Sequence, residues 1–349
     1  MTDVPFCDLA RALSPIRCDI DRAIARCIDR SVFLRGPEAR AFEAEWAAYC
    51  GAAFAICCNS GTDALTIAAR ALELSTAAIP ATTLPLTGIG LHRGGTSVTL
   101  ADIGPDGWIE DGHPDAVPVL MHGMLPPLRA QPAALYDAAH AHGWKPGRAV
   151  AAWSFYPTKT LGALGDAGAV TTDDADVARA LEALCGRDDR IRRPDQFTTR
   201  IDELQAAVLR VKLRHLDEWL EQRREIAAHY SRALGDLPLT LPAPAASLHH
   251  LYAIRVEGRD DLQRFLAEQG VETKAHWPRS LDALDGPWHR ASSTDQARTW
   301  CDRTLSLPCF PGLRTDEIDR VCDLIGRWVV RARPPSIPPA GAAVMPPPR

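Results

Sequence analysis

No apolar run in this 349-residue chain approaches the roughly 20 residues that cross a bilayer, and the N-terminus has no basic segment followed by an apolar stretch. A membrane anchor and a secretion signal are therefore not expected. Excess positive charge is absent too. Lys+Arg number 39 against 44 Asp+Glu, and a net charge of −5 gives no general attraction to nucleic acid or to an anionic membrane. Any phosphate must then be held by a local site. The ten cysteines include the adjacent pair Cys57-Cys58 but form no C-x-x-C pair and no zinc-finger spacing, so reduced thiols and a cytoplasmic location are expected. No internal repeat is visible.

An apolar fraction of 46% with 24% charged residues, at this length, supports a large core and more than one domain. Helical spacing over residues 18–29 and 38–50 predicts two amphipathic helices. Ala53 to Cys58 reads as a strand that runs into Asn59-Ser60-Gly61-Thr62, followed by a helix from Asp63 to Leu74. Short strands are predicted at Ala77–Ile79, Ser97–Leu100, Val117–Met121, Ala134–Tyr136, Ala149–Trp153 and Gly168–Thr171. Strands alternating with helices indicate an α/β fold with a mainly parallel central sheet. A long helical pattern covers Glu203–Leu234. The strand Leu251–Val256 and the helices Leu262–Gln269 and Asp316–Arg331 indicate a smaller α+β C-terminal domain. The expected division is an N-terminal segment and large domain over 1–225, a small domain over 226–332 and a disordered proline-rich tail over 333–349.

The chemistry concentrates around Ser154-Phe155-Tyr156-Pro157-Thr158-Lys159 and the glycine-punctuated run that follows it. A lysine that attacks an aldehyde must be neutral, and an ordinary lysine at neutral pH is about three units below its pKa. Apolar neighbours such as Phe155, Tyr156, Leu161 and Leu164 would disfavour its ammonium form, so that a Schiff base could hold pyridoxal 5'-phosphate covalently. Taken alone, Lys159 also fits a snorkelling surface lysine. Ser60-Gly61-Thr62 ahead of a helix offers unpaired backbone N–H groups to a phosphate, or is an ordinary N-cap. Asp137 ends a strand among small residues, where a carboxylate could keep a pyridine nitrogen protonated, or form an Asx turn.

Five runs in order resemble the DegT/StrS family of sugar-nucleotide aminotransferases: Arg35-Gly36-Pro37-Glu38 with Phe42-Glu43, Asn59 to Leu65, Asp137 to Gly143, Ser154 to Lys159, and Arg200 to Ala207. His276-Trp277-Pro278 and Leu305 to Pro308 extend the resemblance over roughly residues 5–330. It implies fold type I, like aspartate aminotransferase, and a homodimer with shared active sites. It also implies reversible amino transfer from glutamate to a keto sugar nucleotide. Carried over, Lys159 is the Schiff-base lysine and proton shuttle, and Asp137 pairs with the pyridinium. His140 stands against the cofactor's phenolic oxygen, while Gly61, Thr62 and Ser154 hold its phosphate.

Three departures stand out. Leu84 occupies the place of an aromatic residue that the family stacks on the cofactor, and Thr198 that of an asparagine sent to the neighbouring subunit's phosphate. Between His122 and Ala133 lie about ten residues, three of them proline, where a parallel crossover with a helix needs a dozen or more. Asp111 to Val117 is also short for a helix. Part of one sheet face is therefore expected to be an exposed apolar patch or to be buried by a partner chain.

A divergent relative with a binding or regulatory role is the alternative reading. Sugar dehydration is disfavoured, because relatives that catalyse it replace the lysine with histidine. A metal site would need Asp137, His140 and His142 to converge. The basic stretch Arg187–Arg193 contains Asp188 and Asp189 and reads as a solvated loop. His249, His250, Trp277, Trp288 and Trp300 are expected to be packing residues.

Overall fold

The computed structural model describes residues 3–110, 112–130, 132–186, 195–243, 246–290 and 293–332. The basic stretch Arg187–Arg193 and the proline-rich tail lie outside these residues. The chain opens with α1 (Leu9–Leu13), α2 (Arg17–Arg30) and α3 (Pro37–Cys50), then alternates β1 (Phe54–Cys58), α4 (Gly61–Ala71), β2 (Thr76–Pro80), α5 (Pro85–Arg93) and β3 (Ser97–Ala101). It continues through β4 (Leu135–Asp137), β5 (Val150–Ser154), β6 (Gly168–Thr172), α6 (Ala175–Leu184), α7 (Glu203–Leu213) and α8 (Leu216–Leu234). The C-terminal part holds β7 (Tyr252–Arg255), α9 (Arg259–Glu268), β8 (Trp288–His289), α10 (Asp295–Arg303), β9 (Thr304–Leu307) and α11 (Thr315–Ala332). No described helix is long and apolar enough to cross a membrane.

The strands pair in the orders β1-β6-β5-β4 and β2-β3-β8, with β6 antiparallel to both its neighbours and the other pairings in these sheets parallel. Residues 116–120 join the two sheets through parallel bridges from Ala116 to Ala78 and from Val119 to Asp137. The strand expected at Val117–Met121 is therefore reduced to this bridging segment. Pro118 has no N–H for a ladder, and residues 121–123 leave the sheet in a single 3₁₀ turn with His122 at φ 59°.

The helix expected over Glu203–Leu234 is two helices that meet at Arg214–His215. α7 is enclosed on nearly all sides, burying Ala206, Ala207, Val208, Leu209 and Val211, whereas α8 carries a single buried stripe. The break lets each helix meet its own neighbours. α5, α6 and α10 were not expected from the sequence pattern. In α5, Gly88 and Gly90 look like loop residues, yet a Cβ at Gly90 would sit 2.9 Å from the Thr62 carbonyl oxygen, so α5 lies directly against α4.

No helix occurs among the described residues between 112 and 117 or between 124 and 134. The sheet face there is nonetheless covered by the chain itself, which corrects the expectation of an apolar patch or a covering partner. Val117, Leu120, Leu135 and Tyr136 are buried. Tyr136 packs on Trp144 at 5.1 Å, and Leu220 of α8 joins Leu120 and Tyr136 in one cluster. The short crossover is pinned down by hydrogen bonds from Leu125 N–H to Ala246 O and from Leu248 N–H to Gly123 O, both 2.8 Å. Leu128 alone among its large apolar residues is exposed.

Glu203 explains two of the sequence runs at once. Its buried carboxylate accepts N–H bonds from Gly36 (2.9 Å), Glu38 (2.8 Å) and Ala39 (3.0 Å), so it caps α3 from a distant helix. A Cβ at Gly36 would lie 2.4 Å from that carboxylate, so only glycine fits. Glu203→Ala leaves three amides unsatisfied and is expected to cost about 2–4 kcal/mol, read as a lower urea midpoint, with Glu203→Gln in between.

Candidate active site

The strand ends, the start of α4 and the loop after β5 enclose a cavity of about 360 Å³. Lys159, Asp137, Gly61, Thr62, Ser154, Leu84 and His140 all line it. Thr198 does not; it is exposed.

Lys159 follows a tight turn in which its own N–H bonds Tyr156 O at 2.8 Å. The turn depends on Gly162, where a Cβ would lie 2.3 Å from Pro157 O, and the buried Lys212 ammonium holds the Gly162 carbonyl. Burial pushes the Lys159 amine down to about 8, with the Asp137 carboxylate pulling the other way. Of the apolar neighbours expected around it, Phe155 and Leu161 are buried, but Tyr156 and Leu164 face solvent.

Asp137 sits at the buried end of β4. One carboxylate oxygen accepts from Thr87 Oγ1 at 2.8 Å and the other from Ala139 N–H at 3.1 Å, while Thr83 and Thr87 hydroxyls are 2.9 Å apart. Burial raises its pKa, and the Ala139 and Thr87 hydrogen bonds and the Lys159 charge restrain the rise. A cation placed against this carboxylate would supply what burial has removed. Thr87 is a site residue that sequence reasoning missed, because it lies in the unexpected helix α5.

Gly61 and Thr62 form the first turn of α4, where backbone N–H groups lack intrahelical acceptors. The Ser60 hydroxyl accepts from Asp63 N–H at 3.1 Å, so it serves as the N-cap, and its own O–H stays available as a donor at the cavity edge. A Cβ at Gly61 would lie 2.6 Å from Ser154 Cβ, so the close approach of α4 to the end of β5 requires glycine. Next to Thr198, Thr199 is buried, accepting Asn59 N–H at 2.9 Å and donating to Asp63 at 2.8 Å; it ties the cup to the Arg200 segment.

His140 and His142 part ways. His142 packs among Trp46, Trp153 and Phe155 in the core, whereas His140 faces the cavity, because residues 139–142 form turns rather than a strand. Among the described residues no group of three or more His, Cys, Asp or Glu is arranged to hold a metal ion, and His142 does not line the cavity with Asp137 and His140. Burial holds the His140 pKa well below its usual range, with Lys159 adding to the effect, so the ring is neutral. Its Nδ1 accepts His122 N–H at 3.2 Å, which leaves the ring proton on Nε2. His250 lies against His140 with ring centroids 4.5 Å apart. His250 and Trp277, expected as packing residues, line the cavity instead, while Trp288 and Trp300 do pack against the core of α4 and β3.

A mainly parallel sheet flanked by helices, with an amine, a carboxylate and a helix N-terminus converging on one cavity, defines an α/β enzyme of fold type I. The sequence matches the profile of the DegT/DnrJ/EryC1/StrS aminotransferase family over residues 15–113 and 131–326. The chain belongs to this family. The unmatched interval, 114–130, contains most of the shortened crossover. The chain is 35% identical to a dTDP-3-amino-3,4,6-trideoxy-alpha-D-glucose transaminase of Streptomyces venezuelae, over 94% of this chain and 97% of that protein. It is 37% identical to the erythromycin biosynthesis sensory transduction protein EryC1 of Saccharopolyspora erythraea, over 91% and 98%. A crystal structure of S. venezuelae DesV in complex with a ketimine intermediate superposes with a TM-score of 0.89 at 33% identity, covering 95% of this chain and all of that one.

Proposed function

We propose that the protein is a pyridoxal-phosphate-dependent aminotransferase that moves an amino group from glutamate to a keto sugar nucleotide. The observation that carries this reading is the convergence of a depressed lysine amine and a buried, hydrogen-bonded carboxylate on one cavity beside an open helix N-terminus. The cavity fits the cofactor chemically. Gly61 leaves room for the phosphate cup against Ser154, Lys159 supplies a neutral amine and Asp137 awaits a cation.

When bound, pyridoxal phosphate supplies an electron sink for the pair released as a substrate Cα–H bond breaks. The chain's own groups do the rest. Lys159 Nζ would hold the cofactor and, once freed, would act as the base that removes the donor's Cα proton and, in the separate half-reaction of the keto substrate, as the acid that delivers a proton to the acceptor carbon. Asp137 keeps a proton on the ring nitrogen, itself oriented by Thr87 and Ala139 N–H. His140 presents its Nε2–H as a donor, and Leu84 covers the site at the start of α5 without an aromatic face.

We also propose a homodimer in which Thr198 serves the neighbouring cavity. In support, Thr198 is exposed, and the exposed apolar residues Ile28, in the last turn of α2, and Val32, Phe33 and Leu34, just after it, follow one another closely in the chain. The proposed boundary between large and small domains, near residue 225, lies within α8. That helix gives Leu220 to the core around Trp46 and Ile226, Tyr230 and Leu234 to the core around Tyr252.

The test is optical. Purified protein loaded with pyridoxal phosphate should absorb near the visible edge, lose that band on addition of glutamate and regain it with a keto sugar nucleotide. A band that no amino donor changes would leave the binding or regulatory alternative.

A further inference from the structure

Two buried donors of residues that line the cavity lack acceptors. Arg223 of α8 is only 4% exposed and lines the cavity. All three of its hydrogen bonds leave from Nη1, to the carbonyls of His249 (3.4 Å), His250 (2.9 Å) and Cys309. That nitrogen has only two hydrogens, whereas the buried Nε–H has no partner at all. No carboxylate among the described residues pairs with this guanidinium. A buried charge without a counter-ion is costly, and proteins rarely leave one so.

Two other residues that line the cavity add donors to it. Trp277 lines the cavity with a buried indole N–H that also lacks a partner, and an indole nitrogen can only donate. Lys274 lines it too, from the exposed rim; its ammonium stands 5.1 Å from the centre of the Phe6 ring, and no described carboxylate pairs with it. Glu272, two residues away, accepts Phe6 N–H at 3.0 Å instead. The backbone of Lys274 is fixed by reciprocal hydrogen bonds with Ser306, at 3.2 and 2.7 Å. The carboxylates lining the cavity are Asp137 and Asp166, and Asp137 is committed to Thr87 and Ala139.

We infer that Arg223, Lys274 and Trp277 form an anion subsite, separate from the Gly61–Thr62 cup, that holds a substrate oxyanion, carboxylate or phosphoryl. It rests on the aminotransferase reading only for the identity of that substrate. The buried Arg223 and Trp277 donors, with the exposed Lys274 ammonium at the rim, suit a group that accepts several hydrogen bonds and enters from solvent, where charge-assisted bonds are strong. A carboxylate would come from the amino donor and a phosphoryl group from the keto substrate's diphosphate.

Calorimetric titration of the holoenzyme with glutarate and, separately, with UDP tests this and tells the sources apart. Lys274→Gln is expected to weaken one probe about tenfold, and Trp277→Phe, which keeps the ring and removes the N–H, about threefold to tenfold for the same probe. Loss confined to glutarate assigns the subsite to the donor; loss confined to UDP assigns it to the keto substrate. Arg223→Lys, which keeps the charge but not the fork, should weaken the same probe, with far-UV circular dichroism and melting temperature confirming that it folds. Unchanged affinity for both probes in Lys274→Gln and Trp277→Phe overturns the inference, as does failure of both probes to bind the parent protein at millimolar concentration. An optical band that ignores glutamate while these probe losses persist would sink the aminotransferase reading and leave the subsite standing.

Discussion

Lys159→Ala should abolish turnover, by at least about 10⁴-fold, and borohydride should no longer fix the cofactor to the chain. The experiment is clean because the chain has only four lysines, Lys145, Lys159, Lys212 and Lys274. Lys212 is the informative control. Burial pushes its amine down to about 8 as well, yet it is tied to the Gly162 carbonyl and does not line the cavity. A depressed amine is therefore not sufficient, and covalent capture that persists in Lys159→Ala would remove Lys159 from its role. The pH dependence follows from the same cause. Lowering the amine from 10.5 to about 8 raises its neutral fraction at pH 7 by about 300-fold. Only the neutral amine attacks, so capture of pyridoxal phosphate by the cofactor-free protein should quicken about tenfold per pH unit at acid pH and level off above about pH 8. A rate still climbing steeply at pH 10 would show an unperturbed lysine.

Asp137→Asn should lower kcat by about 100- to 1000-fold while leaving cofactor binding largely intact. The amide is nearly isosteric: its oxygen can keep the Ala139 N–H contact, and its NH2 can donate to a Thr87 hydroxyl turned towards Thr83, so the loss reports mainly the negative charge. Full activity in this variant would mean that the carboxylate serves only to shape the turn after β4.

The residues legible in the sequence are those whose role depends on local backbone. Gly61 and Thr62 open a helix after a strand, Asp137 ends a strand and Lys159 follows a proline turn; each neighbourhood is continuous in the chain. The residues that escaped depend on distant partners. Thr87 matters because α5 brings it under Asp137, and α5 was hidden by two glycines, of which Gly90 lets it approach α4 and Gly88 makes room for Trp288. Arg223 looks like any charge on an amphipathic helix until α8 is seen to pass the cavity. His140 and His142 differ by two positions, and only the turn geometry sends one to the cavity and the other among tryptophans.

The trimmed crossover has a consequence for how this chain can vary. Its first turn places His122 in a left-handed conformation, unfavourable by about 1 kcal/mol for a residue with a side chain, and that conformation aims the His122 amide at His140. The economy of the loop and the tautomer of an imidazole that lines the cavity are thus one design decision. Grafting a longer connection from a relative would free the imidazole to reverse its donor and acceptor ends, so insertions at this surface position would be felt at the centre of the molecule.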